Sequence, residues 1–183
     1  MAPILGIVAS SASPNIFSTS YESIATVTVG AGGTSAITFS SIPQTYQHLQ
    51  IRCNSLKSTN PGTLLRINGI STNYANHILY GDGAGSAQAY TDPNYQGAVW
   101  ALNDNGSATV PTVAIIDILD YTSTSKLKTI RAIGGADLNG SGNVYLGSGM
   151  YTASTQAITS LTFFGSGVNY NQNSSFALYG IKG

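Results

Sequence analysis

The 183 residues are enough for one domain with a sizeable core. Only 8% are charged, the formal net charge is zero and the seven basic residues are scattered, which argues against the clustered cationic groove that nucleic acid needs. No apolar run reaches the length of a membrane-spanning helix, and the single cysteine, Cys53, excludes an intrachain disulfide.

Residues 1–20, "MAPILGIVASSASPNIFSTS", carry no charge. The apolar part is short and lacks a positive n-region, so the segment reads as retained and not as a cleaved signal. It is expected to be an extended arm that crosses onto a neighbouring subunit or a larger shell through Ile4, Leu5, Ile7 and Val8. The plainer readings are an ordered first strand or disorder.

Residues 21–183 read as one β-sandwich domain. Glu22 is the only glutamate, and Gly, Ser, Thr and Asn interrupt the chain every few residues, so helix signals are nearly absent. "ATVTV" (25–29) alternates, and "GAGGTS" turns it into "AITF" (36–39). "YQHLQIRCN" (46–54), "TLLRIN" (63–68) and "YANHILY" (74–80) follow. Residues 81–97, "GDGAGSAQAYTDPNYQG", read as a long loop of the kind that carries contacts. "AVWAL" (98–102) resumes the sheet. "TVAIIDILDY" (112–121) is apolar on both faces and is expected to be central. "SKLKTIRAIG" (125–134), "NVYLGSGMY" (143–151), "AITSLTFFG" (157–165) and "SFALYGIK" complete roughly nine or ten strands, a pattern that predicts an antiparallel β-sandwich of jelly-roll type. "SSFALYGIKG" (174–183) alternates to its end, so it is expected to be a paired closing strand. The predicted core includes Val27, Val29, Phe39, Leu49, Ile51, Ile116, Ile118, Leu161, Phe163 and Leu178.

Catalytic and metal chemistry find little to stand on. His48 and His77 read as structural side chains, and Cys53, in phase with Leu49 and Ile51, as a buried thiol. Asp117 and Asp120 are three apart on a strand, which sends them to opposite faces, and Asp120 opens a turn. Asp137, Asn139 and Ser141 in "DLNGSGN" resemble half a calcium loop, but Ser148 stands where the bidentate glutamate belongs, so an Asn-Gly turn is the better reading. Lys126 and Lys128 share one face at strand spacing and Arg131 takes the other, which reads as a solvated edge strand. No catalytic residue, metal or cofactor is expected, and neither nucleic acid nor membrane as a partner. Tyr80, Tyr90, Tyr95 and Trp100 flank the long middle loop. They are expected either to pack a subunit interface or the sandwich, or to stack on a glycan.

Four stretches carry a family resemblance: "MAPILGIVAS", "SIATVTVGAGGTSAITFSSIPQTYQHLQIR" (23–52), "IDILDYTSTSKLKTIRA" (116–132) and "SSFALYGIKG". Together they resemble small bacteriophage virion structural proteins, many from marine and freshwater phages. The resemblance implies a non-enzymatic capsid decoration (cement) protein on the outer capsid surface. It further implies a homotrimer seated on the major capsid protein. The alternative it implies is a tail-fibre or tail-tip module that recognises a host surface glycan.

Overall fold

The computed structural model describes residues 20–57, 62–97, 100–102, 106–165 and 167–183. The proposed arm contacts Ile4, Leu5, Ile7 and Val8 lie outside the described residues. Every regular element among those described is a β-strand. In chain order they are β1 (Tyr21–Thr28), β2 (Ala36–Phe39), β3 (His48–Ser55), β4 (Thr63–Ile67), β5 (Tyr74–Gly81), β6 (Gln88–Tyr95), β7 (Trp100–Leu102), β8 (Thr112–Ile118), β9 (Lys128–Asp137), β10 (Gly142–Tyr151), β11 (Leu161–Phe164) and β12 (Ser175–Ile181). All pairings between them are antiparallel.

Two sheets result. The larger has the order β1-β12-β3-β8-β9-β10-β5-β6 and the smaller β2-β11-β4-β7. Period-two burial shows why they face each other. In β3, Leu49, Ile51 and Cys53 are buried, and so are Ala114, Ile116 and Ile118 in β8 and Phe176 and Leu178 in β12. From the smaller sheet, Ile37, Phe39, Leu65, Ile67, Leu161 and Phe163 meet them. Aromatic rings fasten the two layers, with Phe163 and Tyr170 at 5.0 and 5.1 Å from the Phe176 ring. The hydroxyl of Tyr74 on β5 accepts a hydrogen bond from the Ile67 amide on β4 at 3.0 Å. The predicted core is buried except for Val27, which is half-buried on the outermost strand.

β12 closes the larger sheet between β1 and β3, pairing residue by residue on both sides. That accounts for the alternation running to the end of "SFALYGI".

Three sequence expectations need correction. Residues 81–97 are not one loop, because 88–95 form β6 and pair with β5. The stretch "QAYTDPNY" hides this, since it contains Pro93 and lacks apolar alternation; an outermost strand tolerates both. The lysine stretch is not on an edge strand, because β9 stands between β8 and β10. Lys128 is buried and its ammonium donates to the carbonyls of Ser123, Lys126 and Thr155, the last two at 2.9 and 3.0 Å. Burial pulls its pKa below that of an ordinary lysine. Finally, β8 is central in the sheet as expected, but among the described residues only one of its two apolar faces is covered.

Candidate functional site

The outer faces of the two sheets differ in chemistry. On the smaller sheet, Thr38 and Thr162 share a hydrogen bond at 3.1 Å and Arg66 lies over the Phe164 ring. That is an ordinary half-polar solvent face. The larger sheet is polar near β1 and aliphatic beyond β3.

Residues paired directly across antiparallel strands project to the same face. One outward row runs Arg52, Ile115, Ile133, Leu146, Leu79, Ala89 across six strands. The next row is Asn54, Val113, Gly135, Val144, Gly81. Val113, Ile115, Ile133, Val144 and Leu146 are 41–61% exposed and contiguous. Contiguous exposed aliphatic groups are a common feature of contact surfaces. Completing the burial of each would contribute about 1 kcal/mol, half the value for a fully exposed aliphatic side chain.

The aliphatic rows also form a hollow. Gly135 and Gly81 place no side chain on the floor, and the turns at 82–84, 110–111 and 140–141 rise around it. A Cβ at Gly135 would come within 2.3 Å of the Asn143 carbonyl oxygen, so the backbone packs too closely for any larger residue. The hollow is broadly open to solvent, with a volume of about 1180 Å³. Asp82 and Asp137 at its rim are occupied by their own turns, accepting from the amides of Ala84 and Asn139 at 2.9 and 2.8 Å. The floor therefore offers shape and apolar area and few polar groups. It suits an aliphatic chain better than a sugar, which needs an aromatic platform and converging donors.

On the polar side a third row runs Gln50, Asp117, Arg131, Ser148, His77. Gln50 donates to Asp117 at 2.8 Å and accepts from Arg52 at 3.0 Å. The Arg52 guanidinium stacks 5.7 and 5.4 Å from the rings of Tyr21 and Tyr179, forming a ledge between β1 and the aliphatic rows.

The edges of the larger sheet are guarded. β1 is bulged between Ser23 and Ala25, and β6 carries Pro93 and an irregular register against β5. The broad unguarded surface is the aliphatic face.

Tyr80 and Tyr90, two of the residues expected at a subunit or glycan contact, do not lie on the aliphatic face. Tyr80 and Tyr90 are paired with Tyr145 and Ile78, both buried, so they project to the opposite side of the sheet from the hollow. The Tyr80 hydroxyl is held at 2.6 Å by Gln88. Tyr95 and Trp100 stand on β6 and β7, with side chains outside the described residues.

The groups weighed for chemistry are tied into the fold. His48 Nδ1 accepts the Asp120 amide at 3.0 Å. Asp120 sits at φ 48° in a turn and accepts from Lys126 at 2.7 Å. The Cys53 thiol is buried, which pushes its pKa well above the ordinary range. Asp117 faces outward within a strand and Asp120 lies in the turn beyond it, so the two do not act as a pair. Asn139 and Gly140, at φ 58° and 100°, make the tight turn that joins β9 to β10. Among the described residues no three His, Cys, Asp or Glu side chains converge as a metal site would require.

Sequence reasoning did not single out Val113, Ile115, Ile133, Val144 and Leu146. For Val113 and Ile115 the signal stands in "TVAIIDI", apolar at every position but two, but apolarity on both faces does not by itself say which face lies open. Comparison with protein-family models, curated proteins and solved structures finds no match for this chain.

Proposed function

We propose that this protein is a non-enzymatic structural subunit that assembles with copies of itself. In the specific form we favour, it is a homotrimeric decoration protein on the outer surface of a bacteriophage capsid, bound to the major capsid protein. One observation carries the assembly: a contiguous aliphatic face that the described residues leave open, on a chain with no net charge. An uncharged surface with little to keep copies apart favours burial in an assembly.

The virion setting rests on the sequence resemblance at both ends and in the middle of the chain. The strand order supports the jelly-roll reading that goes with it. Within the larger sheet, β1-β12-β3-β8 faces β2-β11-β4-β7, and the chain alternates between the two groups. The hairpins β5–β6 and β9–β10 then read as insertions that widen one sheet and build the aliphatic face. The tail-fibre alternative has less support, because Tyr80 is engaged by Gln88 and both Tyr80 and Tyr90 stand away from the hollow.

Sedimentation velocity at micromolar concentration tests the assembly, with a trimer expected. Immunogold labelling of virions tests the setting, with label expected over the whole head. A monomer at every concentration would overturn the first part, and label confined to the tail the second.

A further inference from the structure

We infer that the aliphatic hollow over β8, β9 and β10 is the receptor for residues 3–8, "PILGIV", of a neighbouring copy. This names the contact within the assembly proposed above and rests on it, although the exchange could hold even if the virion setting were wrong.

Three observations select this occupant. The hollow is lined by Val113, Ile115, Ile133 and Val144, with Leu146 beside them on the same aliphatic face, and its charged lining residues, Arg52, Asp82 and Asp137, stand at its margin. The chain before β1 is uncharged over residues 1–19 and concentrates its aliphatic groups at Ile4, Leu5, Ile7 and Val8. Gly6, which has no side chain, separates Leu5 from Ile7 in sequence without adding bulk. An uncharged segment and an aliphatic floor complement one another, and the charged groups at the margin are already engaged, Arg52 by Gln50 and Asp82 and Asp137 by the amides of their own turns.

Reach and direction favour exchange over self-docking. The segment from Val8 to Ser20 can span roughly 40 Å when extended. The hollow begins at β8, three strands in from β1, or about 15 Å at ordinary strand spacing. Length alone allows either route. The ledge of Tyr21, Tyr179 and Arg52 stands between β1 and the chain's own hollow, however. A segment leaving the outermost strand is therefore better placed to continue onto a copy beside that edge. A head-to-tail contact of this kind makes a ring where the rotation between copies closes.

Two full-length variants test the exchange. Ile7→Asp disables the segment and leaves the hollow intact; Ile133→Asp disables the hollow, on a half-exposed side chain, and leaves the segment intact. By analytical ultracentrifugation, wild type should assemble and each variant alone should associate at least tenfold more weakly. Both should keep the wild-type circular dichroism spectrum and melting behaviour. Mixed one to one, they should recover a hetero-complex, since one supplies the segment and the other the hollow. Assembly of Ile133→Asp at wild-type affinity would show that the hollow is not the receptor. Two weakened variants that do not rescue each other would show that the segment does not cross between copies. Either result overturns the inference.

Discussion

Gly180 lies directly under the ring of Tyr46, and a Cβ there would come within 2.3 Å of the ring carbons. The same ring donates its hydroxyl to Glu22 at 2.9 Å, so one small residue on β12 allows a side chain to bridge to β1. Gly180→Ala should push the ring away, break that bond and cost about 1–3 kcal/mol, the usual penalty for overpacking. Urea unfolding reads it, and in a Tyr46→Ala background the penalty should largely disappear. Ile118, with no exposed surface, is the opposite case. Cutting it to alanine should cost about 2–5 kcal/mol by removing contacts and leaving a cavity. The carboxyls add a pH dependence. Lys182 and then Tyr46 lower the pKa of Glu22 below its ordinary 4.5. Lys126 and then Gln47 lower that of Asp120 below 3.8. A lowered pKa gives stability that is full above the ordinary value and is lost as pH falls through the folded one. The Glu22→Gln, Asp120→Asn double variant should therefore show a flatter fall in melting temperature below about pH 4.5 than wild type.

At the scale of elements, β12 separates what the sequence reveals from what it conceals. Its alternation, Phe176 and Leu178 inward against Ala177 and Tyr179 outward, is a local property and visible in ten residues. Its partners are not local: β1 lies far before it and β3 between them in sequence, and only the register joins them. Stopping the chain after Ser174 removes the strand that satisfies both neighbours, so the product should accumulate as aggregate. A soluble truncated chain with an unchanged melting temperature would show that β12 is dispensable. Strands with one covered face, β2, β3, β4 and β10, were legible because period two writes itself into the residues. β6 was not, because an outermost strand faces little selection for apolar alternation. The burial of Lys128 was not legible either: three carbonyls supplied by distant turns satisfy it, and no spacing in "SKLK" announces them. The open aliphatic face was legible as residues and misread as geometry. Apolarity on both sides of β8 means two contacts, but the sequence does not say whether the second lies inside the chain or on another.

At the scale of the whole molecule, the question is which force would hold copies together. The chain has few charges and no net charge, and the polar groups beside the aliphatic rows bond among themselves, Gln50 with Asp117 and Arg52 with Gln50. An assembly made by complementary charge weakens as salt shortens the Debye length to about 3 Å at 1 M. An assembly made by aliphatic burial does not, and strengthens in sulfate, which is excluded from protein surface. Association of this chain should therefore hold constant in sodium chloride up to about 1 M. It should tighten in ammonium sulfate and loosen on cooling towards 0 °C, as apolar burial weakens there. Sedimentation equilibrium across these conditions reads all three. Ile115→Asp and Leu146→Asp each put a charge into the face that must be desolvated on contact, and should abolish association under every one of them. An association that fell tenfold or more with added sodium chloride would place the contact on charged groups such as Asp117 and Arg131, away from the aliphatic rows.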